Sequence, residues 1–437
     1  MHLRRYSAPI VAPDVVSVRA SGRNEPRRND APAPVPHTMC AMRKAKGSLS
    51  GIRVLDLGRY QAGPRCGLLF ARLGADVIKI EEPAGDESRD MAPFVRGQSA
   101  YWPQYNSGKK SLTLNLRSAA GKGVLRDLVK VSDVLIQNFR PGVMDKMGFG
   151  YQALRNINKR IVMVNVSAYG QFGPYRDRVG FDPIGQAICG LMSLTGFEGT
   201  PPTRSFATIV DRVTALHATI GALAALRERD RSGEGQAIDV SLADAGFTLM
   251  EIQIAAYLGA GIEPKRAGNG EGLPQPSNTF QCKDGWVYII SPGNKIWPRV
   301  CKLLNRPEWI TDPGMKTSAD RRVRNPEIIA ALNAYCQART VAEAVADCTR
   351  LDLPAAPVNT LPQAAKDPHI AAREIMVEVP DPVAGKIHVT GKSIHLSRTP
   401  MVIGTTPTVG LHTDELLKGL LRYSDRKVAA LKKANAV

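Results

Sequence analysis

Two carboxylates stand in stretches that otherwise read as core. In SFATIVDRVTALHATIGALAAL (205–226) Asp211 precedes a long run of apolar and small residues, and in VGFDPIGQAICGLMSLTGFEGTPP (179–202) Asp182 precedes another. A carboxylate with apolar neighbours is poorly hydrated and can attack an activated carbonyl to give an acyl-aspartate. A second acid nearby, joined to the first by a Gly-rich connector, suits such a site as an assisting group. Both positions also fit plain helix capping. Asp211 can accept the free N–H groups of a helix predicted over 212–229, and Asp182 precedes Pro183 at the first helical position. Capping and attack fit Asp211 equally, while capping fits Asp182 somewhat better when it is taken alone. The positive helix end is expected to keep Asp211 ionised at neutral pH.

The elements that must carry these acids are legible nearby. GIRVLDLGRYQAGPRCGLLFARLGADVIKIEEP (51–83) gives a strand over 52–57, a loop over 58–63, a helix opening near Pro64 and ending at Gly74, and a strand over 76–81. Strand, loop, helix and strand at this length imply a right-handed βαβ unit in a parallel sheet. Gly58, Gly63 and Gly67 do not fit GxGxxG, so no dinucleotide fingerprint is present. The alternation continues with helices over 119–130 and 151–157 and strands over 133–137 and 161–167. Residues 232–246 give a turn, a strand and a helix capped by Ser241, and 247–259 an amphipathic helix. A hairpin is expected around Asp284-Gly285, with helices at 295–304 and 326–347 and strand character over 385–397. The chain closes with two helices capped by Thr413 and Ser424.

Composition excludes several classes. With 43% hydrophobic residues and a mean hydropathy of −0.17, the chain reads as globular, and its apolar runs are too short and too rich in Ala, Gly and Thr for a membrane span. The net charge of +18 raises a nucleic-acid reading. Nine of the basic residues, against three acids, fall in the first 46 positions. No helix-turn-helix, zinc-finger or RNP-type pattern accompanies them, and a basic surface equally attracts polyanionic small molecules. Residues 1–48, broken by six prolines, read as a disordered basic extension. Seven cysteines without CxxC point to reduced, mostly buried thiols and a cytoplasmic protein, organellar import through the extension being the alternative. Seven histidines show neither HxxxH nor HExxH, so no metal site is expected.

Several blocks, taken in order, resemble the family III coenzyme A transferases, which include formyl-CoA and carnitine CoA-transferases. They are GIRVLDLGRYQAGPRCGLLFARLGADVIKIEEPAGDESR, NSGKKSLTLNLRSAAGK, QNFRPGVMDKMGFGY, AYGQFGPY, GFDPIGQAICGLMSLTG, ALRERDRSGEGQAIDVSLADA and GLHTDELL, spread over about 49–420. The resemblance implies an α/β protein with a large Rossmann-like parallel-sheet domain made from N- and C-terminal parts (49–229 and 351–437). A smaller α+β domain (230–350) is inserted, and two subunits interlock as a homodimer. It implies CoA exchange between an acyl-CoA and a free carboxylic acid, with coenzyme A as substrate and product and no permanently bound cofactor. Asp211 falls on the catalytic aspartate, Asp182 on a second acid, and Gln61 and Ala62 on a loop against the CoA thiol. Leu114 and Arg117 match the adenine-side loop, and Asn138, Arg140 and Lys146 match positions along the nucleotide.

Related acyl-CoA racemases place His before the acid that Asp182 matches, whereas this chain has Phe181. A benzyl ring cannot move a proton, so the transferase reading is preferred to racemisation, and a non-enzymatic basic nucleic-acid-binding protein is the weakest reading. The chain also departs from the family. Val210 precedes the nucleophile where Gly is common, Arg212 and Ala215 replace residues that are usually small or glycine, and GNGEGLPQPS (268–277) is much shorter than the glycine-rich loop of formyl-CoA transferases. Arg204 and Arg212, flanking Asp211, suggest a dicarboxylate or other small polar acid as substrate; an exposed arginine at a helix start is an equally good account of Arg212.

Overall fold

A computed structural model of the chain describes residues 47–270, 276–291 and 293–437. The expected extension falls, up to residue 46, outside the described residues, and so does the middle of the 268–277 loop. Six strands form the main sheet: β1 (Arg53–Asp56), β2 (Asp76–Glu81), β3 (Lys110–Thr113), β4 (Val134–Gln137), β5 (Val162–Ser167) and β6 (Ala237–Ser241). Their spatial order is β3-β2-β1-β4-β5-β6, every neighbouring pair parallel. Consecutive side chains on a strand leave by opposite faces, and here both faces are apolar. Val54, Val77, Val134, Val162 and Val164 enter one core, while Leu55, Ile78, Leu135 and Met163 enter the other.

Among the described residues, eight α-helices lie along the first half of the chain: α1 (Ala62–Arg72), α2 (Tyr101–Asn106), α3 (Ala119–Lys130), α4 (Val143–Met147), α5 (Tyr151–Ile157), α6 (Asp182–Ile188), α7 (Leu191–Leu194) and α8 (Ile209–Ser232). Cys66 and Phe70 of α1 pack with Val210, Ala218, Ala222 and Leu226 of α8 on the first face. Val124, Leu125 and Leu128 of α3 lie on the second, together with Leu416, Leu417, Val428 and Leu431 from the end of the chain. The end of the chain also reaches β3, where His412 N–H bonds the Ser111 carbonyl at 3.0 Å. By length and composition α8 could cross a membrane, although no single apolar run in the sequence is long enough. Its alanines are the small residues that a close approach to α1 and the sheet requires, and Ala218 and Ala222 are fully buried there.

A three-stranded antiparallel sheet, Ala355–Pro357, Trp286–Ile290 and Ser277–Gln281, has its own core around Phe280, Trp297, Ile328, Leu332 and Cys348. The expected hairpin at Asp284-Gly285 joins two of its strands. The helix expected over 326–347 is two helices, Asn325–Gln337 and Val341–Arg350, because Thr340 and Glu343 form a capping box that starts the second. Strand character expected over 385–397 stops at Thr390, the end of the strand paired with Met376–Asp381. Ser241 and Ser424 cap as expected. Thr413 does not cap its helix; its hydroxyl accepts from the Thr113 backbone N–H at 3.3 Å.

Candidate active site

In an open parallel sheet, ligands bind beyond the carboxyl ends of the strands where the strand order reverses. Here that point lies between β1 and β4. The loop after β1 (58–61) and the loop after β4 (138–142) both line a cleft of about 520 Å³, which contains Arg59, Tyr60, Gln61, Ala62, Asn138, Arg140, Arg178, Phe181 and Asp211. The two loops are tied together. Arg59 N–H donates to Asn138 Oδ1 at 2.7 Å, and Asn138 Nδ2 returns a bond to the Arg59 carbonyl at 2.7 Å.

Buried charges hold the first loop from below. Asp56 Oδ1 accepts from Gly58 N–H at 2.8 Å, while its other oxygen pairs with Lys109 Nζ at 2.6 Å, both side chains being fully buried. Lys79 Nζ donates to the Gly58 carbonyl and pairs with Asp86 at 2.8 Å. Burial alone would raise the Asp86 pKa, but Lys79 and Ser88 outweigh it and lower the value to about 2. A Cβ on Gly67 would lie 2.6 Å from Asp56 Oδ2, so this helical position has no room for a side chain. Tyr60 takes a left-handed φ of +61°, uncommon for a residue with a Cβ. Its hydroxyl bonds Glu87, and its ring meets Phe181 edge-on at 5.6 Å.

The acids are joined through the start of α8, which begins three residues earlier than the sequence suggests. Asp211 therefore lies inside the first turn and does not cap it. Its own N–H donates to Asp182 Oδ1 at 3.0 Å. Asp182 is 1% exposed, and its second oxygen accepts from Gln186 Nε2 at 2.6 Å. Gln186 Oε1 in turn accepts from Ser205 N–H at 2.9 Å. Capping thus belongs to Asp182, which leaves both Asp211 oxygens free of that duty. The pKa of Asp211 is raised to about 7 by burial first and the neighbouring Asp182 charge second, with Arg212 opposing. This overturns the expectation that the helix end would dominate, because one turn of N–H dipoles does not offset desolvation plus a second acid.

Gln61 sits at the mouth of this arrangement, its Oε1 accepting from the Thr208 hydroxyl, with Tyr101 beside it. A second cavity of about 360 Å³ shares Arg59, Phe139 and Val143 with the cleft and includes Leu114, Asn115, Arg117 and the backbone run Glu82–Asp86. Of the predicted binding residues, Gln61, Ala62, Asn138 and Arg140 line the cleft, and Leu114 and Arg117 line the second cavity. Lys146 is exposed in the last turn of α4, whose Val143 and Met147 line the second cavity. Arg204 is exposed and lies outside both cavities, and Arg212 stands beyond the cleft lining against Tyr105. The sequence reading passed over Arg178, Thr208, Arg65, Tyr101 and Tyr105. Arg65 carried a signal: it is a charge four residues after Gln61 in a helix whose other residues are all buried.

The profile of CoA-transferase family III matches residues 49–413. The chain belongs to that family. It is 36% identical over 387 residues to a succinyl-CoA–D-citramalate CoA-transferase of Chloroflexus aurantiacus, covering 88% of this chain and 96% of that one. It is 34% identical to a formyl-CoA:oxalate CoA-transferase of Bradyrhizobium diazoefficiens, over 89% and 97% of the two chains. Its fold is similar to the crystal structure of a CaiB/BaiF family protein from Brucella suis, with a TM-score of 0.76, 30% identity, and coverage of 86% of this chain and all of that one. As a family III CoA-transferase, it takes coenzyme A thioesters as substrates.

Proposed function

We propose that this enzyme transfers CoA between an acyl-CoA and a small carboxylic acid, with Asp211 as the nucleophile. One observation carries the assignment of the residue. Asp211 is the acid that lines the cleft at the sheet's switch point, and its pKa of about 7 makes it an anion near neutral pH that is more basic than an ordinary carboxylate.

In the first step an Asp211 oxygen attacks the thioester carbonyl, the C–S bond breaks, and CoA leaves as thiolate. The thiolate then attacks the Asp211 carbonyl of the mixed anhydride, expelling the donor acid as a carboxylate and leaving an aspartyl-CoA thioester. The acceptor carboxylate attacks that thioester, and the returning thiolate takes the acceptor's acyl group and restores Asp211. Each step exchanges one anion for another, so neither ATP nor a net proton is consumed. Asp182 positions Asp211 through its backbone, and Gln61 faces the thioester end. We assign the CoA body to the two joined cavities, with Ala62, Leu114, Asn138 and Arg140 against it. Arg117 and Lys146 lie near its phosphates, and the net charge of +18 favours so anionic a ligand. The dicarboxylates named for the relatives support an acceptor of that kind. Phe181 offers no base for a racemase.

We further divide the chain into a large domain, 49–229 and 351–437, and a small one between them, with two changes of boundary: the strand Ala237–Ser241 goes with the large domain's sheet and the strand Ala355–Pro357 with the small domain's. Separate cores for the two sheets support this division. A homodimer, interlocked as in the family, is supported by apolar side chains left in solvent: Phe206 at 95%, Ile252 at 79% and Leu258 at 77%. The six described cysteines, all free and buried, support a cytoplasmic location.

The test is a panel of acyl-CoA donors and free acids followed by mass spectrometry, with hydroxylamine or borohydride trapping of the intermediate. A label on Asp211 is expected, and a label on any other residue would sink the mechanism.

A further inference from the structure

Two arginines near Asp211 are close enough for one charge to act on the other. Arg65 lies in the first turn of α1, and Arg212 follows Asp211 in α8, the two helices that pack against each other. Among the described residues neither arginine is in an ion pair, and Arg65 Nε is buried with no hydrogen-bond partner. Arg212 lies beside the buried Tyr105, whose ring lies 5.0 Å from that of Tyr101. Tyr101 in turn lies beside Gln61. Burial first, and the Arg212 charge second, push the Arg65 guanidinium below its ordinary pKa. Arg65 is half-buried with an unmade hydrogen bond and Arg212 is exposed beside it, so an anion that reaches both would satisfy the first and relieve their repulsion.

Asp211 precedes Arg212 in the chain and feels its charge, and turnover removes the carboxylate's own charge. As an anhydride or thioester it is neutral, so the excess of positive charge around Arg65 and Arg212 is greatest in the state that must receive the acceptor. We propose that Arg65 and Arg212, with the Tyr105 hydroxyl, form a subsite for the second carboxylate of a dicarboxylic acid acceptor, adjoining Asp211 and outside the CoA cleft. Planar guanidinium groups suit carboxylates because they donate two parallel bonds. The inference rests on Asp211 being the acylated residue. Bound there, an acid is held by its far end while its near carboxylate faces the aspartyl thioester, which separates dicarboxylates from monoacids of the same length.

The experiment compares succinate with butyrate as CoA acceptors for the wild type and for Arg65→Gln, Arg212→Gln and the two lysine variants. Assays run at pH 9, where Asp211 is ionised in every variant, and the readout is the succinate-to-butyrate ratio of kcat/KM, in which effects on shared steps cancel. The wild type should prefer succinate, and each glutamine variant should lower the ratio about 10- to 100-fold, the loss of a charge-assisted hydrogen bond. Lysine should restore part of it. A wild type that prefers butyrate, or variants that leave the ratio unchanged, would overturn the subsite. Hydroxylamine labelling of Asp211 by the acyl-CoA donor is followed in parallel. If Asp211 is labelled and the ratio does not move, only the subsite fails. If the wild type is not labelled at Asp211, the transfer reading fails with it.

Discussion

The backbone N–H of Asp211 donates to the carboxylate of Asp182 at 3.0 Å, so one acid caps the helical turn that presents the other. The bond fixes where Asp211 stands without occupying its oxygens. The same proximity brings a second negative charge close to the nucleophile and raises its pKa. Burial is the larger cause of the raised pKa, but position and this second part of the shift have a common origin, and they can be separated by changing charge while keeping shape.

Charge at residue 182 should move the pH dependence of acylation. In single turnover with acyl-CoA, the rate of Asp211 labelling should climb as pH rises and level off above about 7, since only the anion attacks. Asp182→Asn removes the repulsive charge and keeps an oxygen for the Asp211 N–H, so the midpoint should fall. Arg212→Gln removes the opposing positive charge, so the midpoint should rise. Midpoints that do not move in these opposite directions would contradict the electrostatic account.

Asp211 should also cost the fold stability at high pH. Its folded pKa of about 7 exceeds the ordinary 3.8, so between these values the folded protein holds a proton that the unfolded chain releases. Stability falls as pH rises through this window, and the loss is complete above the folded pKa. Asp211→Asn lacks that penalty. Its Tm advantage over the wild type should be small near pH 4, grow up to about pH 7 and be constant beyond, as followed by scanning calorimetry.

The strands and helices around the first βαβ unit were legible because their apolar content, Pro64 and Gly74 all agree with one assignment. Asp211 and Asp182 stood out for the opposite reason, as acids in apolar stretches. What could not be read was the division of labour between them. Which acid caps and which is left free depends on a contact across 29 positions, and no local pattern encodes it. Arg65 was passed over because a charge in an amphipathic helix ordinarily points to solvent. Its partner Arg212 lies on another helix, and Tyr105 on a third, so only the packing of α1, α2 and α8 brings them together.

The two basic residues predicted for the nucleotide should differ in effect. Both are exposed, but Arg140 lines the cleft whereas Lys146, on α4, lines neither cavity. Arg140→Gln should raise the KM for acyl-CoA about 10-fold or more, the scale of a hydrogen bond to a charged group. Lys146→Gln should raise it only about 2- to 5-fold, as befits a screened surface charge. Added salt should shrink the Lys146 effect further, because exposed interactions are damped beyond a Debye length of about 8 Å at physiological ionic strength. Steady-state kinetics at two salt concentrations would expose any reversal of this order.

The Asp56–Lys109 pair should prove structural and catalytic at once. Both side chains are fully buried, at 2.6 Å from each other. Lys109 also bonds the Pro64 carbonyl at 2.8 Å and Asn106 at 2.9 Å, and Asp56 holds Gly58. Lys109→Met leaves the Asp56 charge unpaired in the core, and the expected loss is about 3–5 kcal/mol in denaturant unfolding. The double variant Asp56→Asn/Lys109→Met removes both charges and should recover much of that stability. Activity should not recover to the same extent, because the amide that replaces the Asp56 carboxylate accepts through a single oxygen while the Pro64 and Asn106 contacts of Lys109 are gone. The loop carrying Gln61 is then less firmly held, which lowers kcat more than it raises the KM for acyl-CoA. A double variant that regained stability and full kcat together would show that the loop does not depend on the buried pair.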